Sequence, residues 1–141
     1  MKIGKGTKVW HEHLSNIGDC IIGENCKIHS HVWIGDRVSI GNNCKVQAFS
    51  FIPTGVRIGN NVFIGPRVTF TNDKHPPSGE WEITVVEDHV SIGAGAIILS
   101  GLTLGNGCRI GAGAVVTKNV PSGEVWVGNP AKPLTRKSDK V

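Results

Sequence analysis

The chain has 141 residues, 39% of them hydrophobic, with 19 glycines and a formal charge of +4. That length bounds one domain with one core, and the glycine content suits a backbone that turns every few residues. A chain without tyrosine, in which no basic run is interleaved with stacking aromatics, does not point to nucleic acid, and the four cysteines include no Cys-x-x-Cys pair that would suggest zinc or a disulfide framework.

Residues 1–21 read as an imperfect opening coil: Ile3 and Val9 keep a six-residue step, the HEHLSN segment breaks it, and Ile17-Gly18-Asp19-Cys20 resumes it. No apolar signal segment opens the chain and no run approaches membrane-spanning length, so the expected setting is cytoplasmic and away from membranes. From Ile22 to Phe70 an aliphatic or aromatic residue recurs every sixth position, at Ile22, Ile28, Ile34, Ile40 and onward. A second residue, usually small and apolar, follows each of the first eight by four, as at Cys26, Val32, Val38 and Cys44. A period of six excludes an α-helix, whose apolar face returns every three to four residues, and predicts a solenoid of short strands and turns. With three hexads to a coil, residues eighteen apart stack. Stacked coils leave flat flanks and open ends, which predicts capping and self-association.

The pattern stops at Phe70 and returns at Val86, so residues 72–85 must leave the coil as a loop. Pro76, Pro77 and Gly79 punctuate it, and Trp81 could pack on a partner surface. A loop held out from a rigid coil is where function concentrates. This one carries Asn72, Asp73, Lys74 and His75. The second regular block runs from Val86 to Val120 and contains IGAGA twice, at 92–96 and 110–114, eighteen residues apart. Ala94, Gly95, Ala112 and Gly113 should therefore stack into a face nearly free of side chains. Such a face could hold an extended ligand against backbone amides, or its small residues could simply fit tight turns. After Val120 the prolines and glycines of VPSGEVWVGNPAKP end the repeat, and Trp126 is expected to close the core. The expected division is a β-helix over 1–121 and a cap and tail over 122–141.

These features resemble the hexapeptide-repeat acyltransferases, which fold as left-handed parallel β-helices and usually act as trimers. Residues 45–78, residues 111–132 and the opening VWHEHLSNIG are similar, within that superfamily, to N-acetyltransferases of nucleotide-linked amino sugars. The resemblance implies an all-β left-handed parallel β-helix with three hexapeptides per coil. It also implies a homotrimer with active sites between subunits, acetyl-CoA as co-substrate and no metal. It places the pantetheine arm of CoA along Ala94, Gly95, Ala112 and Gly113, and CoA phosphates near Lys118, Lys132 and Arg136. Asn72 matches an asparagine near the acceptor amine, while Gln47 and Lys74 fall in segments that line the sugar site. Relatives commonly carry polar residues after the glutamine, where this chain has Ala48 and Phe49, so the acceptor pocket is expected to differ.

Amide formation from a thioester needs a neutral amine, alignment with the carbonyl carbon and stabilisation of an oxyanion. His75 can take the proton from the amine, with Asp73 beside it to orient it. It could instead bind substrate or be solvated. Because His75-Pro76 also resembles the His-Pro of sugar O-acetyltransferases, transfer to a hydroxyl is the alternative activity. A non-catalytic trimeric scaffold and a γ-type carbonic anhydrase share the solenoid. The second lacks support, because the His-x4-His pair that such enzymes carry is missing.

Overall fold

The structure, a computed structural model, describes residues 1–134. Its strands are almost all two residues long and parallel, and they stack into three sheets of six, eight and six strands. These are the three walls of a left-handed parallel β-helix. We call them wall A, which contains Ile21–Ile22 and Ser39–Ile40, wall B, which contains Lys27–Ile28 and Lys45–Val46, and wall C, which contains Trp33–Ile34 and Phe51–Ile52. The eighteen-residue register is direct: Ile22 pairs with Ile40, and Ile40 with Ile58.

Within each strand the second residue points in and the first points out, as the strand period of two requires. Ile28, Ile34, Val46, Ile52, Ile64 and Phe70 are fully buried, and Cys26, Cys44 and Cys108 fill the small inward position. The Cys108 thiol is pushed up to about 11 by burial. The hydrogen bond with Cys26 and then burial hold the Cys44 thiol well above its ordinary value.

Most corners follow two backbone rules. The residue after the inward aliphatic is often glycine because the next coil lies against it: a Cβ at Gly41 would sit 2.6 Å from the Gly59 carbonyl oxygen. The residue three after the aliphatic turns through the left-handed region, as at Asn25, His31, Phe49 and Arg67 in the first coils and Gly95, Gly107 and Gly113 in the last. On the corner between walls A and B, asparagine and aspartate side chains cap the coil beneath. Asn42 Oδ1 accepts from the Glu24 N–H, Asn60 Oδ1 from Asn42, and Asp88 Oδ1 from Asn60, each at 2.8 Å.

The opening coil departs from the period by a partly compensated slip that leaves one extra residue in the coil. Val9 to Ile17 spans eight residues through the 3-10 turn Glu12–Leu14, and Ile17 to Ile22 only five. The walls therefore still register, with Val9 on Ile28 and Ile17 on Ile34. The loop after Phe70 makes Arg57 pair with Val85, twenty-eight residues on, so ten residues are inserted into one coil. The chain re-enters at the buried Thr84, whose Oγ1 accepts from the Gly101 N–H at 3.2 Å. Past residue 121, Val125–Gly128 adds a parallel strand to wall B, with Trp126 on Ile110, and Ala131–Pro133 folds back antiparallel on it. The prolines end the hexad sequence without ending the sheet, since a strand needs only its hydrogen-bonding edge. Trp126 is buried at 7% exposure and closes the core.

Candidate active site

The corner between walls B and C changes character along its length. In successive coils its outward residues are His29-Ser30-His31, Gln47-Ala48-Phe49, Pro66-Arg67, Ala94-Gly95 and Ala112-Gly113. The His31 and Phe49 rings stack at 5.0 Å, and the Arg67 guanidinium lies 5.3 Å from the Phe49 centroid. Beyond Arg67 the side chains stop. A Cβ built on Gly95 or Gly113 would meet nothing within 4 Å, so these glycines are not forced by crowding. Asn, His, Arg and Phe hold the same left-handed conformation in earlier corners, so backbone strain alone does not demand glycine either.

What remains is an open track of exposed backbone two coils long. The Gly95 and Gly113 N–H groups are used between coils, donating to Pro66 and Ala94 carbonyls at 2.9 and 2.8 Å. The Ala94 and Ala112 N–H groups donate to no backbone carbonyl among the described residues, and both residues are exposed. The four small residues read from the repeat are thus brought together, with two unpaired donors. An extended chain of alternating amides and methylenes fits such a surface.

At the C-terminal end, Lys118 and Lys132 line one cleft of about 270 Å³ with Thr117, Trp126 and Ala131. Two cations separated by fourteen residues of sequence therefore meet at the end of the rod. Arg136 lies outside the described residues. Gln47 is half-buried on the same corner as the track, in an earlier coil.

The loop lies elsewhere on the same chain. It leaves the corner between walls C and A, after Phe70, and so sits on a different edge of the prism from the track. Asn72 and Asp73 are half-buried at its base, and Lys74 and His75 are exposed. Asp73 and Trp81 form an isolated antiparallel bridge that pinches the loop. Asp73 uses its hydrogen bonds to fold the turn rather than to reach the His75 ring. Its carboxylate accepts from the Ser78 hydroxyl at 2.6 Å and from the backbone N–H groups of Ser78, His75 and Gly79 at 2.8, 3.1 and 3.3 Å. The Ser78 hydroxyl, ahead of the backbone donors, holds the Asp73 carboxyl below its ordinary value. A short anion with several donors in reach folds the turn that presents His75, so its effect on the imidazole is through the backbone. Trp81 and Ile83 remain 59% and 48% exposed among the described residues.

Sequence reasoning placed Phe49 beside Gln47 but missed its stacking on His31, and missed Arg67 as part of this edge. Their signal was the position three after each inward aliphatic, where the two blocks differ systematically. Among the described residues no three His, Cys, Asp or Glu side chains gather as a metal site, and no helix is long and apolar enough to cross a membrane.

A family model described as bacterial transferase hexapeptide (six repeats) matches residues 37–72 and 83–118, and one described as hexapeptide repeat of succinyl-transferase matches 19–52. A Schizosaccharomyces pombe protein named as an acetyltransferase is 45% identical over 83 residues, covering 53% of this chain and 40% of the relative. A 2,3,4,5-tetrahydropyridine-2,6-dicarboxylate N-acetyltransferase of Staphylococcus aureus is 40% identical over 78 residues, covering 55% of this chain and 32% of the relative. The chain thus spans less than half the length of either relative. Among solved structures, AntD, an N-acyltransferase from Bacillus cereus in complex with dTDP-4-amino-4,6-dideoxyglucose and coenzyme A, superposes with a TM-score of 0.86. It is 21% identical, and the match covers 99% of this chain and 87% of AntD. At that identity the likeness establishes the fold.

Proposed function

The chain belongs to the bacterial transferase hexapeptide family, and on that premise we propose that it is an acetyl-CoA-dependent N-acetyltransferase acting on the amino group of a nucleotide-linked amino sugar. The observation that carries this reading is the bare track at Ala94-Gly95 and Ala112-Gly113, which keeps side chains out where crowding does not require it. Pantetheine carries amides at intervals along an extended chain and would bond the unpaired Ala94 and Ala112 N–H groups, while Lys118 and Lys132 take the phosphates at the rod's end. The fold of AntD, which was solved with CoA and an amino sugar on dTDP, supports the same assignment.

The acceptor amine attacks the thioester carbonyl carbon, the carbonyl oxygen gathers negative charge, and the carbon–sulfur bond breaks to leave the amide and the thiolate of CoA. The amine's proton passes to His75 and from there to the departing sulfur. Asn72 holds the amine, Asp73 folds the turn that carries His75, and Gln47 and Lys74 contact the sugar. Because loop and track lie on different edges of one chain, the loop of one subunit serves the track of the next. Head-to-tail pairing of this kind closes as a ring, and the ring proposed here is a homotrimer with three identical contacts. The exposed Trp81 and Ile83 of the loop, with the outward Trp33, Phe51 and Ile97 of wall C, provide its apolar surface.

The test is CoA release from acetyl-CoA against a panel of nucleotide-linked amino sugars, with mass spectrometry of the product. A gain of one acetyl group on nitrogen is expected. Acetylation on a hydroxyl, or no acceptor-dependent CoA release with any amine, would overturn the reading.

A further inference from the structure

The outward face of wall B carries a feature that the acyl-transfer reading does not use. Lys8 pairs directly with Lys27, and Lys27 with Lys45, so three lysines project side by side from consecutive strands. Strand spacing puts neighbouring stems about 4.8 Å apart. All three are exposed, and among the described residues no carboxylate forms an ion pair with any of them. On walls A and C no two consecutive outward positions carry charge: wall A reads Lys2, Ile21, Ser39, Arg57 and wall C reads Asn16, Trp33, Phe51, Thr69. Like charges set directly opposite one another destabilise a sheet. This wall accepts that cost three strands deep.

Two residues after each lysine, on the same side of the strand, stand Trp10, His29 and Gln47. Trp10 stacks on His29 at 4.9 Å, and Lys8 Nζ lies 5.0 Å from the Trp10 ring centroid. The ladder therefore runs along the flank of the corner that holds Gln47 and, further on, the track. From Lys45 to Lys8 is two strand spacings, about 10 Å. A sugar whose amine lies near the start of the track would place its anomeric phosphates over this stretch of wall.

We propose that Lys8, Lys27 and Lys45 form the subsite for the diphosphate of the acceptor, a nucleoside diphosphate sugar. The proposal rests on the acyl-transfer reading for its occupant, and on wall B alone for its location. Two adjacent phosphates carry at least two negative charges, and three ammonium groups at strand spacing can share them from flexible stems.

The experiment is calorimetric titration with UDP, GDP, dTDP, inorganic pyrophosphate and, separately, CoA, using the wild type and the triple variant Lys8→Gln/Lys27→Gln/Lys45→Gln. We expect at least one nucleoside diphosphate to bind the wild type, the triple variant to bind it at least tenfold more weakly, and CoA to bind both alike. Thermal melts add a second readout: without ligand, Lys27→Gln should melt higher than wild type, because the central charge is repelled from both sides. Equal nucleotide affinity in wild type and triple variant would overturn the ladder and leave acyl transfer standing. Turnover of an amine by a wild type that binds none of the three nucleotides would also overturn it. Loss of CoA binding and of turnover in the wild type would instead strike the reading beneath.

Discussion

Gly113→Asn separates the ligand role of the track from its backbone role. Asparagine already holds the left-handed corner conformation at Asn25, Asn43 and Asn61, so the fold accepts it there. The conformational cost is about 1 kcal/mol, which lowers the melting temperature by roughly 3–6 °C in a domain of this size. The new side chain enters space in which nothing lies within 4 Å of a Cβ, so it clashes with no part of the chain. A pantetheine arm lying there would be pushed away by about one carbon contact, roughly 3.5–4 Å. Losing two amide hydrogen bonds at about 0.5–1.5 kcal/mol each, with the contacts around them, costs on the order of 2–3 kcal/mol. That is roughly a thirty- to hundredfold loss of CoA affinity. Gly107→Asn is the matched control: the same left-handed φ of 71°, the same empty surroundings, but on the corner between walls A and B. Calorimetry with CoA and thermal melts on both variants decide the matter. Equal melting temperatures with CoA affinity lost only at Gly113 are expected. CoA affinity unchanged at Gly113, or lost equally in both, would refute the track.

His75→Gln should lower turnover more than tenfold while leaving the melting temperature unchanged, since the ring is exposed; near-wild-type turnover at saturating substrates would remove its role as base. Asp73→Asn should loosen the turn that presents His75, reducing turnover without changing CoA affinity, and the loss should be smaller than at His75. Because the Asp73 carboxyl titrates below its ordinary value in the folded loop, loop order from this group is present above the unfolded carboxyl's range and lost as pH falls through the folded value. Hydrogen exchange of the Ser78 amide should then accelerate, relative to its intrinsic rate, only in acid more extreme than an ordinary aspartate's titration range. All four cysteines are buried. A chromogenic disulfide reagent should therefore find no fast-reacting thiol in the native protein and four after unfolding. Gly41→Ala should destabilise the rod strongly, because its Cβ would lie 2.6 Å from a carbonyl of the next coil; a melting temperature within about 2 °C of wild type would contradict the tight stacking.

The coil was legible in the sequence because its period is enforced by burial. Ile28, Ile34 and Ile52 have no exposure, so each position must be apolar and the spacing survives in the residues themselves. The bare track was legible for a different reason, since IGAGA repeats at the eighteen-residue spacing of one coil. The break at HEHLSN was legible too, but not the 3-10 turn Glu12–Leu14 that takes up the extra residues while the inward column keeps its register. The strand Val125–Gly128 was hidden because its pairing depends on an edge made elsewhere and its sequence breaks the hexad. The hydrogen bonds of Asp73 to the backbone of His75 and Ser78 were not legible, because they depend on how the loop turns rather than on adjacency in sequence. The lysine ladder needed register, which places residues nineteen and eighteen apart beside each other.

Mixing subunits tests the shared site most directly. Gly113→Asn chains carry an intact loop and a blocked track, and His75→Gln chains carry the reverse. Each variant should be nearly inactive alone. Co-expressed in equal amounts and purified through two tags, which leaves only mixed trimers, each assembly pairs an intact track with a neighbour's intact loop at about a third of its sites. Recovery of roughly that share of wild-type turnover is the expected result. Turnover no greater than the sum of the parents would contradict an active site completed by a second chain.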